Sequence, residues 1–422
     1  MNDFVEYLDS LSNLGISPSL KGIECLTKIM GDPQTDYDSI QVTGTNGKTS
    51  VSKFLSAILS NHKKQCGLYL SPHLQQYNER WSVDGYDISN SRLEEVGKDL
   101  RSSVDKANES LEPRRLTQFE VLTGFALLFF NLEKVDVAVF EVGMGGKWDA
   151  TSVVKPSVSA LTTISMDHSD YLGDSIGEIA KEKSHVIKER TKAVAGSVDG
   201  LVKKILSDRS KDQNTEIFFL GDDYQVIIDE LSGGVNVEGL YAKYDGLDIR
   251  GFNKFQSNNL AIAVVAAELY LEEALCVEGI NRALEEVEII GRAEMICDRP
   301  RILLDGAHNE AGSKVLAEVL RNEFKFEKLI LILSMLKDKE VPKVLKNLLP
   351  FAGTIIATSN QNPRSLTNDE LGSLIIKSGY EPLLRSDMDS SLSVAKDLAG
   401  DGDLICVTGS LYGVGEAREV LQ

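Results

Sequence analysis

At 422 residues and a formal net charge of −19, the chain is long for one domain, and two are expected. The acidic balance argues against non-specific nucleic-acid binding and against docking on an anionic membrane. The five cysteines (Cys25, Cys66, Cys276, Cys297 and Cys406) are scattered with no Cys-x-x-Cys pair. They read as buried thiols in a reducing compartment, not as a metal or disulfide framework. The acidic start, Met1 to Glu6, is unlike a signal peptide, and no apolar run approaches the roughly 18 residues of a membrane span. A soluble, cytoplasmic protein is expected.

In chain order, Phe4, Val5, Leu8, Leu11 and Leu14 predict a helix over residues 2–14. The segment Ser17-Pro18-Ser19-Leu20-Lys21-Gly22 breaks it, and helical spacing resumes from Ile23 to Met30. Ile40 to Val42 reads as a strand, and Val51, Phe54, Leu55, Ile58 and Leu59 put a helix after it. Next come a strand Cys66 to Leu70, a polar helix Ser91 to Leu111, an apolar helix Phe119 to Phe130, and strands Val135 to Val142 and Val158 to Ile164. A helix Ile176 to Lys188 and a strand Ala193 to Ala195 follow. This alternation predicts an α/β sheet of buried, mostly parallel strands. Residues 216–252 differ. Short runs at Ile217 to Leu220, Tyr224 to Ile228 and Leu247 to Ile249 predict a small antiparallel patch before a helix Asn259 to Tyr270. A second alternating block has strands Ile302 to Leu304, Leu329 to Leu333, Thr354 to Thr358 and Leu404 to Thr408. The expected organisation is an ATP-binding domain over residues 1–291 and a Rossmann-like α/β domain over residues 292–422.

Four stretches place polar or glycine-rich residues after strands, where open α/β sheets bind ligands. The first is Gly44-Thr45-Asn46-Gly47-Lys48-Thr49-Ser50, between a strand and a helix start. Backbone N–H groups at a helix N-terminus face an anion, glycines allow close approach, Lys48 can reach outer phosphates, and a following hydroxyl can hold Mg²⁺. The loop is a shortened variant, with Val42 where the longer phosphate loop would need glycine. The second is Glu141-Val142-Gly143-Met144-Gly145-Gly146, whose Glu141 either holds Mg²⁺ or caps a neighbouring helix. The third is Met166-Asp167-His168, read as ending a strand of the same sheet, with His168 a metal ligand or a structural histidine. The fourth is Asp305-Gly306-Ala307-His308-Asn309, read as closing the first strand of the second block. It suits either a binding cleft or a helix cap. No serine or cysteine nucleophile with its base is evident, which leaves ATP·Mg²⁺ chemistry governed by binding and positioning.

Together these motifs resemble the folylpolyglutamate synthase/dihydrofolate synthase family, within the superfamily of muramyl amino-acid ligases. The resemblance also rests on Ser71-Pro72-His73-Leu74 with Asn78-Glu79-Arg80, Asp149-Ala150-Thr151, and Asp167-His168-Ser169-Asp170-Tyr171-Leu172-Gly173. It extends to Glu182-Lys183, Gln256 with Asn259, Gly291-Arg292, Met335 to Lys339, and Val407-Thr408-Gly409-Ser410-Leu411-Tyr412. It implies an ATP-dependent amide ligase. A pterin-linked carboxylate becomes an acyl phosphate, and the amine of L-glutamate then displaces phosphate. Gly44, Thr45, Asn46, Gly47, Lys48, Thr49 and Ser50, with Asn259, Arg292 and Asp305, would bind ATP. Ser71, Glu141, His168 and Thr49 would hold Mg²⁺, as one ion or two, and a monovalent cation is compatible with the family. Lys183 matches a lysine carbamylated in the family; an ordinary surface lysine is the plain alternative. Dihydropteroate or a folate would lie near Ser19 to Glu24, near Thr117, Gln118, Phe119 and Glu120, and near Lys147 and Asp149. His308 and Ser410 would lie near the glutamate. Catalysis would fall to Lys48, Glu141, His168, Lys183, Asp305 and His308. A monomer with small-molecule substrates, no nucleic acid and no membrane is implied.

Four residues depart from the family pattern. Thr49 stands where glycine is usual, Lys147 for arginine, Ser152 for asparagine, and Phe255 where histidine often precedes the glutamine. Lysine keeps the charge of arginine and loses its fork, so Lys147 bears on the acyl substrate. One alternative is another ligase of the superfamily. The short stretch before the phosphate loop argues against a muramyl enzyme with its extra N-terminal domain. The other alternative is a phosphate-loop ATPase module, which would hydrolyse ATP without regard to any amino acid.

Overall fold

The computed structural model describes residues 3–12, 15, 18–229, 234–249 and 255–422. The chain divides into two compact units, one of residues 1–164 and 174–287, the other of residues 165–173 and 288–422. No helix among the described residues is long and apolar enough to cross a membrane.

In the first unit the strands are β1 (Asp38–Thr43), β2 (Cys66–Tyr69), β3 (Trp81–Val83), β4 (Tyr86–Asp87), β5 (Val137–Glu141), β6 (Val158–Leu161), β7 (Lys192–Ala195) and β8 (Ile217–Phe219). They form one sheet in the order β4-β3-β2-β5-β1-β6-β7-β8. All neighbours are parallel except β2–β3 and β3–β4. The central strands are buried along nearly their whole length, as the continuous apolar runs require of a parallel sheet covered on both faces. One face carries an aromatic core in which Phe4, Tyr69, Trp81, Phe125, Phe130 and Phe140 pack together. Each such buried ring contributes about 2 kcal/mol from area alone. The helix Gln256–Leu271 is buried on nearly every side and packs against the helix Lys48–Asn61 and against β6 and β7.

Three expectations for this unit need correction. The run at Ile217 is not part of an antiparallel patch: β8 pairs in parallel with β7 and closes the large sheet. The patch itself consists of β9 (Gln225–Ile228), β10 (Val235–Glu238) and β11 (Lys243–Leu247), in the order β11-β10-β9. Residues 230–233 and 250–252 of that stretch lie outside the described residues. The first helix spans Asp3–Ser10, and Leu14 and Ser17 lie outside the described residues. The helix from Ile176 stops at Lys183 and gives way to a 3-10 turn, Ser184–Val186.

The patch is tied to the helix Gln256–Leu271 by Glu268, a fully buried carboxylate. Its oxygens accept from the backbone N–H groups of Leu240 (2.8 Å), Tyr241 (3.0 Å) and Ala242 (3.2 Å), and from the Tyr244 hydroxyl (2.7 Å). Those four donors replace the water that a buried carboxylate loses.

In the second unit the strands are β12 (Glu294–Asp298), β13 (Arg301–Leu304), β14 (Leu329–Leu333), β15 (Ala352–Ala357), β16 (Leu383–Leu384) and β17 (Leu404–Thr408). Their order is β12-β13-β17-β14-β15-β16, with only β12 antiparallel to its neighbour. Asp305 therefore follows the second strand of this unit, not the first, because β12 precedes it. The nearly unbroken Leu/Ile content of β14 marks it as a strand covered on both faces.

After β2, the Arg80 Nε donates to Nδ1 of His73 at 2.8 Å. Burial, then the adjacent guanidinium, pushes the His73 imidazole down to about 3. The unfolded chain takes up this proton near pH ~6.5 and the folded chain refuses it, so stability is full above that value and falls as pH drops below it. Chemical denaturation should show the wild type losing on the order of 1–2 kcal/mol more than His73→Gln between about pH 7 and pH 5. Parallel losses in the two proteins would contradict this. A second expectation concerns thiols. Burial pushes the Cys66 thiol up to about 12 and Cys406 well above its usual value, whereas Cys276 is exposed. Alkylation of the native protein should label Cys276 and spare Cys66 and Cys406 until the chain is unfolded. Native labelling of Cys66 at the rate of Cys276 would contradict the burial.

Candidate active site

In the first unit the site grows from the end of β1. Gly44 has φ +151° and Gly47 φ +87°, the latter a left-handed turn immediately before the helix that starts at Lys48. A side chain at Gly47 would meet Oδ1 of Asn259 at 2.5 Å, so glycine is what lets that amide sit against the loop. Asn259 is itself oriented by Gln256, whose Oε1 accepts from Asn259 Nδ2 at 2.7 Å. The loop is braced from β6. Thr45 N donates to the Thr163 carbonyl at 2.6 Å, and Asn46 N to the Thr163 hydroxyl at 3.3 Å. The hydroxyls of Thr162 (2.6 Å) and Thr163 (3.2 Å) donate to the Asn46 carbonyl. Sequence reading missed both threonines. Their signal was two polar residues directly after an apolar strand. Lys48 Nζ folds over the loop, donating to the carbonyls of Gly44 (3.2 Å) and Thr45 (3.1 Å). Ser50 is buried in the first turn of the helix.

Glu141 closes β5, the strand beside β1, and is 2 % exposed. Its carboxylate accepts from the Thr49 hydroxyl at 3.0 and 3.1 Å and faces the Ser71 backbone N–H at 3.4 Å. It therefore meets a side-chain hydroxyl in the first turn of the phosphate-loop helix. The Ser71 hydroxyl is buried and has no hydrogen-bond partner. A carboxylate and two hydroxyls, one of them buried and orphaned, beside a phosphate loop are hard oxygen donors of the kind Mg²⁺ takes, so these residues fit the ion. No group of three or more His, Cys, Asp or Glu side chains suited to a metal occurs among the described residues. Lys183 is 4 % exposed, which removes the surface-lysine alternative, and its Nζ donates to the Gly44 carbonyl at 2.7 Å.

The remaining candidates of this unit divide in character. Asp149 accepts from Met144 N (2.8 Å), Thr151 N (3.0 Å) and the Thr151 hydroxyl (2.6 Å). Burial still raises its carboxyl above the usual value. Phe119 lies against Gly143 together with Asp149. Thr117 and Glu120 form a reciprocal capping box at the start of the helix Gln118–Glu133, and Glu120 also pairs with Arg114 at 2.7 Å. Gln118 Nε2 donates to the Leu8 carbonyl and to the Tyr77 hydroxyl. Lys147 Nζ lies 4.6 Å above the half-exposed Trp148 ring.

In the second unit, Asp305 follows β13. Its carboxylate accepts from Ala293 N and Ala307 N, each at 2.8 Å. Burial raises its carboxyl, opposed by Arg292, those two N–H groups and His308. Arg292 donates to the Gly291 carbonyl at 3.1 Å. His308 Nδ1 faces the Gly306 carbonyl at 2.8 Å, an acceptor, which assigns the ring proton to Nδ1. Ser410 is 2 % exposed at the N-cap of the last helix, after the adjacent strand β17. Asn309 is the N-cap of the helix Glu310–Asn322, so the capping alternative holds for that residue.

His168 does not end a strand. It lies seven positions beyond the last residue of β6, at φ +53°, and belongs to the second unit. Beside it Asp167 meets Lys339 Nζ (2.8 Å), Asn309 Nδ2 (2.9 Å) and His308 Nε2 (3.6 Å). Burial alone would raise the Asp167 carboxyl, but the contact with His308 and the Lys339 ammonium beside it hold it well below the usual carboxylate range.

Comparison with known proteins agrees with these two frameworks. Residues 42–267 match the Mur ligase middle domain, and residues 291–411 the Mur ligase glutamate ligase domain. The chain is 32 % identical over 438 aligned positions to a dihydrofolate synthase/folylpolyglutamate synthase of Mycobacterium tuberculosis, covering 96 % of this chain and 90 % of the relative. It is 30 % identical to the Bacillus subtilis protein of the same name, covering 99 % of this chain and all of that one. The solved structure of Mycobacterium tuberculosis folylpolyglutamate synthase complexed with ADP superposes with a TM-score of 0.94 at 32 % identity, over 99 % of this chain and 97 % of that chain. The chain belongs to the folylpolyglutamate synthase/dihydrofolate synthase family of ATP-dependent ligases.

Proposed function

We propose that this protein joins L-glutamate to the carboxylate of a dihydropteroate or a folate, at the expense of ATP. The observation that carries the proposal is the oxygen cluster of Glu141, Thr49 and the orphaned Ser71 hydroxyl set against the Gly44–Ser50 loop. A carboxylate is a poor acyl donor at neutral pH. Its oxygen attacks the γ-phosphorus of ATP, the bond to ADP breaks, and an acyl phosphate results. The glutamate amine then attacks the acyl carbon, an amide forms, phosphate leaves, and the ammonium proton passes to solvent or a nearby base.

The loop N–H groups and Lys48 hold the phosphates. For this Lys48 leaves two loop carbonyls, which spreads its charge onto the transferring group instead. Thr49 or Ser50, with Ser71, Glu141 and His168, would hold Mg²⁺, which neutralises charge on the phosphoryl oxygens. Asn259, Arg292 and Asp305 serve the nucleotide. His308 and Ser410 serve the incoming amino acid. Thr117, Gln118, Phe119, Glu120, Lys147 and Asp149 serve the acyl substrate. Thr117 and Glu120 act mainly through the frame they build, since their side chains are committed to each other. Burial of Lys183 against the loop supports its carbamylation. The amine adds to CO₂, loses a proton, and becomes an anionic oxygen ligand suited to a second Mg²⁺. The family's monovalent cation belongs to the same reading, as do a monomeric state and a cytoplasmic setting. Lys147, stacked on Trp148, offers a point charge where the family uses a fork, and it is the residue on which acyl specificity is read first.

Phosphate release from Mg·ATP, measured with dihydropteroate or tetrahydrofolate and with or without L-glutamate, tests the reading. Release should require both partners and yield a product heavier by one glutamyl unit. Release indifferent to both would leave a phosphate-loop ATPase. Glu141→Ala and His168→Ala should each lower turnover by about 10²-fold or more, with the circular dichroism spectrum unchanged. Near-normal turnover in either would remove that residue from the metal site.

A further inference from the structure

Lys147 and Asp149, the proposed contacts of the acyl substrate, lie on the loop that leaves β5, residues 143–152. That loop is pinned by β1, the strand that ends in the phosphate loop, and both belong to the first unit. Gln41 and Thr43 stand two positions apart on β1, so they share one face of the strand, and both are fully buried. The Thr43 hydroxyl donates to the Gly145 carbonyl at 2.8 Å. Gln41 Nε2 donates to the hydroxyls of Thr151 at 3.2 Å and Ser152 at 3.5 Å. Inside the loop, the Thr151 hydroxyl donates to Asp149 Oδ1 at 2.6 Å and the Ser152 hydroxyl to the Gly146 carbonyl at 2.5 Å. Lys147 N donates to Glu182 Oε1 at 3.0 Å.

Each hydroxyl has one proton, and those of Thr151 and Ser152 are spent within the loop. Their oxygens can then only accept, which fixes the end of the Gln41 amide that faces them. The other end, Oε1, is buried with no hydrogen-bond partner. An orphaned buried carbonyl costs stability that an apolar side chain would not. What the amide supplies in return is its N–H groups, aimed at the loop that carries Asp149. Gln41 thus acts on Asp149 through Thr151, and Thr43 acts on the backbone of the same loop two residues before Lys147.

We propose that Gln41 and Thr43 are positioning residues of the ligase: they lock the acyl-substrate loop to the strand that carries the phosphate loop, so that the approach of the attacking carboxylate to the γ-phosphorus is set inside the first unit. The inference rests on the reading of Lys147 and Asp149 as acyl-substrate residues, and adds what holds them in register with the nucleotide. Register matters because reacting atoms have to be held about 3–3.5 Å apart, and a misplacement of about 1 Å costs on the order of 10²-fold in rate.

The test uses the full chain as Gln41→Leu, Thr43→Val and the conservative Thr43→Ser. ADP formation is followed in a single turnover with Mg·ATP, L-glutamate and whichever of dihydropteroate or tetrahydrofolate the wild type uses. At saturating substrates the rate should fall about tenfold or more in the first two variants and stay within about twofold of wild type in the third. The Kd for ADP should stay near wild type in all three, because the phosphate loop keeps its own braces. Unchanged rates in Gln41→Leu and Thr43→Val would overturn the proposal. So would a loss of ADP affinity as large as the loss of rate, which would mark damage to the phosphate loop, and so would equal losses in Thr43→Ser and Thr43→Val, which would mark a packing role. If Gln41→Leu or Thr43→Val does not fold, Thr151→Val decides, since it keeps the shape and removes the hydroxyl between Gln41 and Asp149: a slower turnover with ADP affinity intact supports the proposal, and an unchanged one overturns it. Wild-type ADP formation that ignores both pterin compounds would sink the acyl-substrate reading itself, an outcome distinct from unchanged rates in the variants.

Discussion

The turn from β1 into its helix depends on backbone groups that have to be satisfied before any anion arrives. Four residues without regular structure, two of them glycines, leave N–H and C=O groups that would be costly to bury unpaired. Thr162 and Thr163, directly after the neighbouring parallel strand, take the Asn46 carbonyl and two loop N–H groups. Lys48 and Lys183 take the carbonyls of Gly44 and Thr45. Everything else in the first unit follows from keeping that turn in place. The parallel register of β5, β1 and β6 sets Glu141, the loop and the threonines at neighbouring strand ends. The helix Gln256–Leu271, apolar on nearly every side, delivers Asn259 to Gly47 because it has no solvent face to turn toward.

The second unit applies the same logic with fewer glycines. Strands β13, β17 and β14 end side by side, and the residues after them carry Asp305, His308, Ser410 and Lys339. Two buried carboxyls there are shifted in opposite directions. At Asp305 burial outweighs Arg292 and two backbone N–H groups and raises the carboxyl. Asp167 meets Lys339 with His308 close by and is pulled strongly down. A ligase that must place an acyl donor, a nucleotide and an amine needs fixed charges of this kind, because acyl transfer through a phosphorylated carboxylate asks for positioning more than for a protein nucleophile.

The strand–glycine–lysine–helix pattern was legible because each part has a local cause: chain direction, backbone freedom, a cation at a fixed offset. Strands such as Leu329–Leu333 and Leu404–Thr408 were equally plain, since four or five apolar residues in a row bounded by polar ones leave little choice. Val235–Glu238 was not, because Val-Asn-Val-Glu alternates over too few residues to stand out between glycines. Ile217–Phe219 was assigned to the wrong sheet for a related reason: a short strand carries no mark of which partner it will take. His168 was visible as an imidazole after an apolar run. Its displacement from that run was not, and the contacts of Asp167 beside it are with Lys339 and Asn309, which no local pattern links to it.

The small sheet of β9, β10 and β11 looks like an appendage that a shorter relative could shed. Glu268 makes it otherwise. Three of the four donors to that carboxylate are backbone groups of the turn between β10 and β11, and the fourth is a tyrosine on β11. Trimming the hairpin would take four donors at once from a carboxylate in the last turn of the helix that carries Asn259 to the Gly44–Ser50 loop, and a neutral residue at position 268 would in turn leave three hairpin N–H groups unpaired. Hairpin and helix are therefore coupled through one side chain: a change on either side carries a cost that only a matching change on the other removes.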